Sequence, residues 1–287
     1  MCATILYHNK LQQMCLMKGF SMTELQELRR YRRDLHRIPE LDFDLPQTIA
    51  YIEGVLAPLT CEVTHPCPSC VCAFFDAGVD AAHATAIRAD MDALPIAEAT
   101  GAAFASIHPG KMHACGHDGH MTILLGAMTL LAESKNFNGT VRAIFQPAEE
   151  PGKGAKAMID DGLFEKYPVD EIYGLHNIPF LPEGEIHTRP GGIMASEDNF
   201  TIKIHGRGGH ASSPHVGIDP LIPAAQIILG LQTIVSRNAN PLEPAVVSVT
   251  ELHTDGAHNA IPSNIVMTGD TRSTSSAMPC RYPRPCA

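Results

Sequence analysis

Apolar positions change period along this chain, and each change marks an element. Leu25, Leu28, Tyr31 and Leu35 recur at helical steps with arginines between them, which predicts an amphipathic helix ending at "RIPE", residues 37–40. Ser21 and Glu24 in "SMTE" form a capping box at its start. A second helix is expected from Thr48 to Leu56, and Ala86 to Ala89 reads as a buried strand ending in acidic residues. Asp118 is placed to cap a helix with the apolar face Ile123, Leu124, Ala127, Leu130 and Leu131. Val141 to Gln146 is a strand that runs into the Pro-bounded loop "PAEEP"; a short helix from Gly154 to Asp161 and a strand in "EIYGLHNIP" follow. Strand, loop and helix alternate, which predicts an α/β fold on an open sheet with helices on both faces.

The pattern changes after "GGIMASED". Phe200, Ile202 and Ile204 alternate with Thr201, Lys203 and His205, as in a half-buried strand. A Gly-rich turn, "GRGGHASSPH", leads to a helix from about Asp219 to Arg237, and strands are expected at Val246 to Leu252 and Ile265 to Gly269. This β-α-β-β order predicts a small α+β two-layer domain. The expected organisation is an N-terminal extension at 1–20, a first domain at 21–194, a second at 195–272, and a tail at 273–287 whose three prolines and lack of period set it apart.

Composition narrows the function. Among 287 residues, 45% are hydrophobic, enough for a real core. The formal charge is -10, from 21 basic and 31 acidic residues, which repels a polyanion and argues against nucleic acid as a partner. No apolar run is long enough for a membrane helix, and the first twenty residues lack the layout of an export signal, so no membrane and a cytoplasmic address are expected. A later start at Met17 or Met22 fits the same reading. Nine cysteines, an odd number, do not form a disulfide framework. "CPSCVC", residues 67–72, lacks a second pair for a closed zinc site and reads as a loop entering a strand.

The chemistry concentrates in "HACGHDGH", residues 113–120. His113, Cys115 and His117 share the parity of an extended loop, and cysteine and histidine are the preferred ligands of zinc and its neighbours. His120 falls inside the helix start, better placed to support than to ligate. Glu149 and Glu150 repel each other, and burying both requires a cation; one can bind metal while the other holds a water. His176 in "GLHN" follows another strand, and Asp90 and Asp92 in "RADMD" follow a further one, either to ligate or to orient a ligand histidine. Such sheets place their sites just after strands. The chemistry these groups suit is hydrolysis: a divalent ion lowers the pKa of water from 15.7 to about 7. No G-x-S-x-G, G-x-x-x-x-G-K or G-x-G-x-x-G motif competes with this reading.

In order along the chain, "RRDLHRIPEL", "AIRADMDALPI", "MHACGHDGHM", "FQPAEEPGKGAKAMIDDG", "GLHN" and "GRGGHASSP" resemble the metal-dependent amidohydrolases. That family includes hippurate hydrolase, N-acyl-amino-acid amidohydrolases and plant auxin-conjugate hydrolases. The resemblance covers about Leu28 to Arg272. It implies a zinc-peptidase-like catalytic domain with two divalent metal ions (Zn or Mn, with Co or Ni as alternatives), interrupted by a smaller lid domain that often dimerises. Carried over by motif, the metal ligands are Cys115, His117, Glu150 and His176, and Glu149 is the general base. His210 stabilises the oxyanion. Asn259 in "NAIP" and Arg272 in "GDTR" grip a substrate carboxylate, or equally are an ordinary loop Asn and surface Arg. The family continues further and supplies a last ligand histidine from a returning segment; here no histidine follows His258. The expected function is hydrolysis of the amide bond of a small-molecule N-acyl amino acid, with homodimerisation through the lid. The alternative is a catalytically impaired homologue that acts only as a metal-binding or dimerising fragment.

Overall fold

The computed structural model describes residues 22–76, 83–134, 137 and 139–274. Ser21 of the capping box, the whole N-terminal extension and nearly all of the tail lie outside the described residues. The chain divides into two compact units, Met1–Leu181 and Pro182–Ala287.

The first unit opens with α1 (Met22–Arg37) and α2 (Pro46–Leu56), the latter with Pro46 at its first turn, where the missing amide costs nothing. Then come β1 (Glu62–Thr64), β2 (Val71–Asp76), β3 (Ala84–Asp90), α3 (His117–Ser134), β4 (Thr140–Gln146), α4 (Gly154–Asp160), α5 (Leu163–Lys166) and β5 (Glu171–Gly174). The sheet order is β1-β2-β4-β3-β5. β3 runs parallel to β4 and to β5, while β2 pairs antiparallel with both β1 and β4. The carboxyl ends of β3, β4 and β5 therefore share one edge of the sheet.

Side chains alternate across the pleat and serve two cores. Val71, Ala73, Phe75, Ala89, Ala143 and Phe145 pack with Leu35 of α1, Ile52 of α2, and Met121, Leu125 and Met128 of α3. Cys70, Cys72, Ala86 and Ile144 face the other way, against Met158 of α4 and Leu163 of α5. With both faces covered, the central strands read as continuous apolar runs rather than as alternation. "CPSC" forms a turn between β1 and β2, in which the Cys70 amide donates to the Cys67 carbonyl at 3.3 Å.

Two details of α3 differ from expectation. Its buried stripe is Met121, Leu124, Leu125 and Met128, while Ile123 is 52% exposed. The segment is apolar nearly all round, so periodicity alone does not choose the face. Gly126 does: a Cβ there would lie 2.5 Å from Leu28 Cδ2, so the bare glycine lets α1 come close. Asp118 lies inside the first turn rather than before it, because the helix starts at His117.

The second unit contains β6 (Ser196–His205), β7 (Gly209–His210), α6 (Leu221–Thr233), β8 (Ala245–Thr254), β9 (Ala260–Ile261) and β10 (Asn264–Ser273). β6, β10 and β8 form an antiparallel sheet in that order. Ala224, Ile227 and Ile228 of α6 pack on Ile202, Ile204, Val249, Ile265 and Met267. The strands run longer than the apolar alternation alone indicates, and the helix passes into a π-turn at Ile234–Asn238. No helix among the described residues is long and apolar enough to cross a membrane.

Candidate metal centre

Each parallel strand of the first unit ends in a loop that carries ionisable side chains. β3 delivers Asp90 and Asp92, β4 delivers Glu149 and Glu150, and β5 delivers His176. The loop before α3 adds Cys115, and the helix start adds His117. Cys115 Sγ lies 3.4 Å from His176 Nε2. His117 Nε2 lies 3.7 Å from Glu149 Oε2, 3.9 Å from Glu150 Oε1 and 3.6 Å from Asp90 Oδ2. One donor atom from each of Cys115, His117 and His176 falls within 4.8 Å of the other two, as do those of His117, Glu149 and Glu150. His117 belongs to both sets.

The imidazoles are turned as metal ligands usually are. His117 Nδ1 donates to the Asp92 carbonyl at 2.7 Å, and His176 Nδ1 donates to the Asn177 carbonyl at 2.8 Å. A backbone acceptor on one nitrogen fixes the tautomer and leaves the other nitrogen bare. His117 Nε2 is buried and has no hydrogen-bond partner, and Glu150 Oε1 is in the same position. Burial opposes protonation of His117, but Asp92, Cys115 and the charge on Asp90 together push it up to about 11. Burial also raises Glu150, with Glu149 adding to the effect and His117 opposing it. Two orphaned buried polar atoms in negative surroundings fit a divalent cation.

The cluster is braced from behind. The Asp92 carboxylate accepts the backbone amides of Glu149 at 2.9 Å and Glu150 at 3.0 Å. The two glutamates are presented by Ala148, a buried residue at φ 47. Such a left-handed alanine persists only where its surroundings over-determine it; its amide donates to the Asp42 carbonyl at 3.0 Å, and its carbonyl accepts the Gly154 amide at 2.8 Å. Burial acts against the charge of Asp90, but His120, His117 and Arg88 hold it down at about 2. Asp118 bonds His36 at 2.8 Å, and His36 Nε2 lies 3.2 Å from Glu98. The sequence places Asp118 as a helix cap and does not anticipate its bond to His36, which lies in the "LHRIPE" stretch.

His113 stands apart. It is 4% exposed, neither ring nitrogen has a partner, and burial lowers its pKa to about 4. It joins none of the clusters of metal-capable side chains among the described residues. The other expected residues lie in the second unit. His210 Nδ1 accepts from the Ser212 amide at 3.2 Å. The Asn259 carbonyl accepts the Ala211 amide at 3.0 Å, so these two loops are joined. Arg272 bonds Asp270 and Glu197, each at 2.8 Å.

Thiol, imidazole and carboxyl side chains gathered at the carboxyl edge of an open α/β sheet make a cluster able to hold a metal ion. Residues 86–279 match peptidase family M20/M25/M40, and the chain belongs to that family. It is 44% identical over 247 residues to N-acetyl-L-cysteine deacetylase of Bacillus subtilis, covering 85% of this chain and 59% of the relative. It is 43% identical over 237 residues to hippurate hydrolase of Campylobacter jejuni, covering 82% and 61%. Among solved structures it resembles a dinuclear metal-binding M20 peptidase from Bacillus subtilis, with 38% identity, a TM-score of 0.71, and coverage of 90% of this chain and 66% of that one. The chain thus spans about three fifths of the length of these two curated relatives.

Proposed function

We propose that the centre serves a metal-dependent amidohydrolase that cleaves N-acyl amino acids, of the acetyl or benzoyl kind, to a carboxylic acid and an amino acid. The observation that carries this reading is the pair of buried, unpartnered polar atoms, His117 Nε2 and Glu150 Oε1, facing each other across 3.9 Å. Cys115, His117, Glu150 and His176 would hold the metal, zinc or manganese, with cobalt or nickel able to substitute. When bound, such an ion polarises the amide carbonyl and acidifies water. Glu149 takes the proton of the attacking water as oxygen adds to the carbonyl carbon. It then passes that proton to the amide nitrogen as the carbon–nitrogen bond breaks, so the amine leaves neutral. His210 would steady the developing oxyanion, and Asn259 would grip the substrate carboxylate; Arg272 would join it only on leaving Asp270 and Glu197, and is otherwise an ordinary surface arginine.

The donor set supports a second reading. Four protein donors complete one tetrahedral ion but serve two ions sparsely, and metal binding without turnover is the outcome expected of that deficit. One assay separates the readings: hydrolysis of N-acetyl and N-benzoyl amino acids by the purified chain loaded with zinc, manganese or cobalt. Glu149→Gln should lower turnover at least about 100-fold, as loss of a general base does, while metal content is retained. Metal lost from Glu149→Gln would mean the two glutamates have exchanged roles. Stoichiometric metal without turnover on any substrate would select the second reading. A wild-type chain that binds no divalent ion would overturn both.

A further inference from the structure

His120 stands in a line of bonds that the proposed chemistry does not use. Arg88 donates to Gln146 Oε1 at 2.8 Å and to Asp90 Oδ2 at 2.8 Å. Asp90 Oδ1 meets His120 Nδ1 at 2.6 Å, and His120 Nε2 accepts the Asn177 amide at 3.0 Å. An amide N–H can only donate, so Nε2 is the bare nitrogen and the ring proton sits on Nδ1, given to Asp90. Both nitrogens are thus engaged. Although His120 falls within 4.8 Å of Asp90 and His117 as a possible metal group, it has no lone pair left for an ion.

The far end of this line matters most. Residues 176–181 are exposed, with no buried side chain to hold them. Among the described residues, their one backbone amide bonded to the body of the first unit is that of Asn177. The Asn177 side chain is seated on Gly116, at φ 99, where an added Cβ would lie 2.4 Å from Asn177 Oδ1. The backbone carbonyl of Asn177 in turn accepts the Nδ1 proton of His176.

We propose that His120 is a positioning residue: anchored by Asp90, its Nε2 fixes the Asn177 amide and so sets where His176 meets Cys115. The inference rests on the metal-binding reading above. His120 acts through Asn177 and touches neither substrate nor ion. It packs edge-on against His176, ring centroids 4.6 Å apart, so simple truncation would confuse packing with bonding. Two isosteric replacements separate them. His120→Gln can place an oxygen where Nε2 was and still receive the Asn177 amide. His120→Asn can place an NH2 where Nδ1 was, keeping Asp90 but losing Asn177.

The test is cobalt(II) titration of the full 287-residue chain, followed by the thiolate-to-cobalt absorption band that reports Cys115 beside the ion. His120→Asn should weaken cobalt binding about 10- to 100-fold, the range for partners that orient ligand histidines. His120→Gln should stay much closer to wild type. A His120→Asn variant that binds as wild type does, or the two variants weakened alike, overturns the proposal. A long-range proton–nitrogen spectrum of the labelled wild-type chain needs no variant to fold. A proton on Nδ1 of His120 supports the assignment, and a proton on Nε2 overturns it. If the wild type takes up no cobalt, the metal reading fails, while the spectrum still decides the role of His120.

Discussion

Asp92→Asn probes the architecture of the centre most directly, since one atom changes and the proposed ligands Cys115, His117, Glu150 and His176 are left in place. The Asp92 side chain is fully buried, and its two oxygens accept the amides of Glu149 and Glu150 at 2.9 and 3.0 Å. Hydrogen bonds to a charged group contribute about 1.5–3 kcal/mol each. Asparagine keeps one acceptor. Its NH2 group then faces the other amide, donor against donor. The loss is one charge-assisted bond, plus about 1–3 kcal/mol for a buried N–H without a partner. Removing a buried charge returns part of this, so the net destabilisation should be about 2–4 kcal/mol. With a urea dependence of about 2 kcal/mol per molar, the unfolding midpoint of the first unit should fall by about 1–2 M. Circular dichroism across a urea series reads this shift, and cobalt titration of the same samples should show weaker binding as the Glu150 backbone moves. A midpoint within about 0.3 M of wild type, together with unchanged cobalt affinity, would refute the idea that Asp92 holds the two glutamates in place.

Two further outcomes follow from the loops around it. Gly116→Ala places a side chain at φ 99 and against Asn177 Oδ1. The left-handed backbone alone costs about 1–2 kcal/mol, so the melting temperature should drop by several degrees and the cobalt–thiolate band should weaken; an unchanged melt would count against the described loop. His36 is raised above its ordinary value, first by its bond to Asp118 and, despite burial, also by Glu98. A raised folded-state pKa stabilises fully below the unfolded value of about 6.5, and that contribution is lost as pH climbs through the folded value. The stability gap between wild type and His36→Gln should therefore be widest below about pH 6.5 and narrow at alkaline pH. A gap that widens with pH would reverse the sign of the argument.

Much of the first unit was legible because its signals are local. Strand ends coincide with charged residues, and the alternation of apolar runs with helical stripes dictates an open sheet. The grouping of Cys115, His117, Glu149, Glu150 and His176 could be anticipated from three strand ends, since parallel neighbours bring their carboxyl ends to one edge. Less legible were features set by contacts distant in sequence. The buried face of α3 depends on Gly126 meeting Leu28, about a hundred residues earlier. The tautomer of His120 depends on the Asn177 amide, and no periodicity encodes that. The left-handed backbone of Ala148 carries no local mark, since alanine is not a residue that seeks φ above zero; only the closure around Asp42 and Gly154 imposes it. Arg272 shows the opposite case: a motif singled it out, and its guanidinium is taken up by Asp270 and Glu197 on its own sheet.

The parallel strands bring these loops together, and the electrostatics of the cluster set what can occupy it. Asp90 is compensated by Arg88 and His120, and Asp92 by two backbone amides. Glu149 and Glu150 have no cation beside them among the described residues except His117. In a chain without an ion, a proton on His117 is the charge that holds this group together. Its folded-state value of about 11 lies above the ordinary one, so its stabilisation is whole below about pH 6.5 and is lost as pH climbs through about 11. That proton occupies the Nε2 lone pair, since Nδ1 is committed to the Asp92 carbonyl. Proton and metal therefore compete for one atom. A divalent ion held by these residues would supply more positive charge at the same place, so its uptake would displace the proton into solvent and tighten as pH rises. The fold thus stores a repulsion among side chains from three strand ends that one proton relieves in part and a divalent cation relieves more fully.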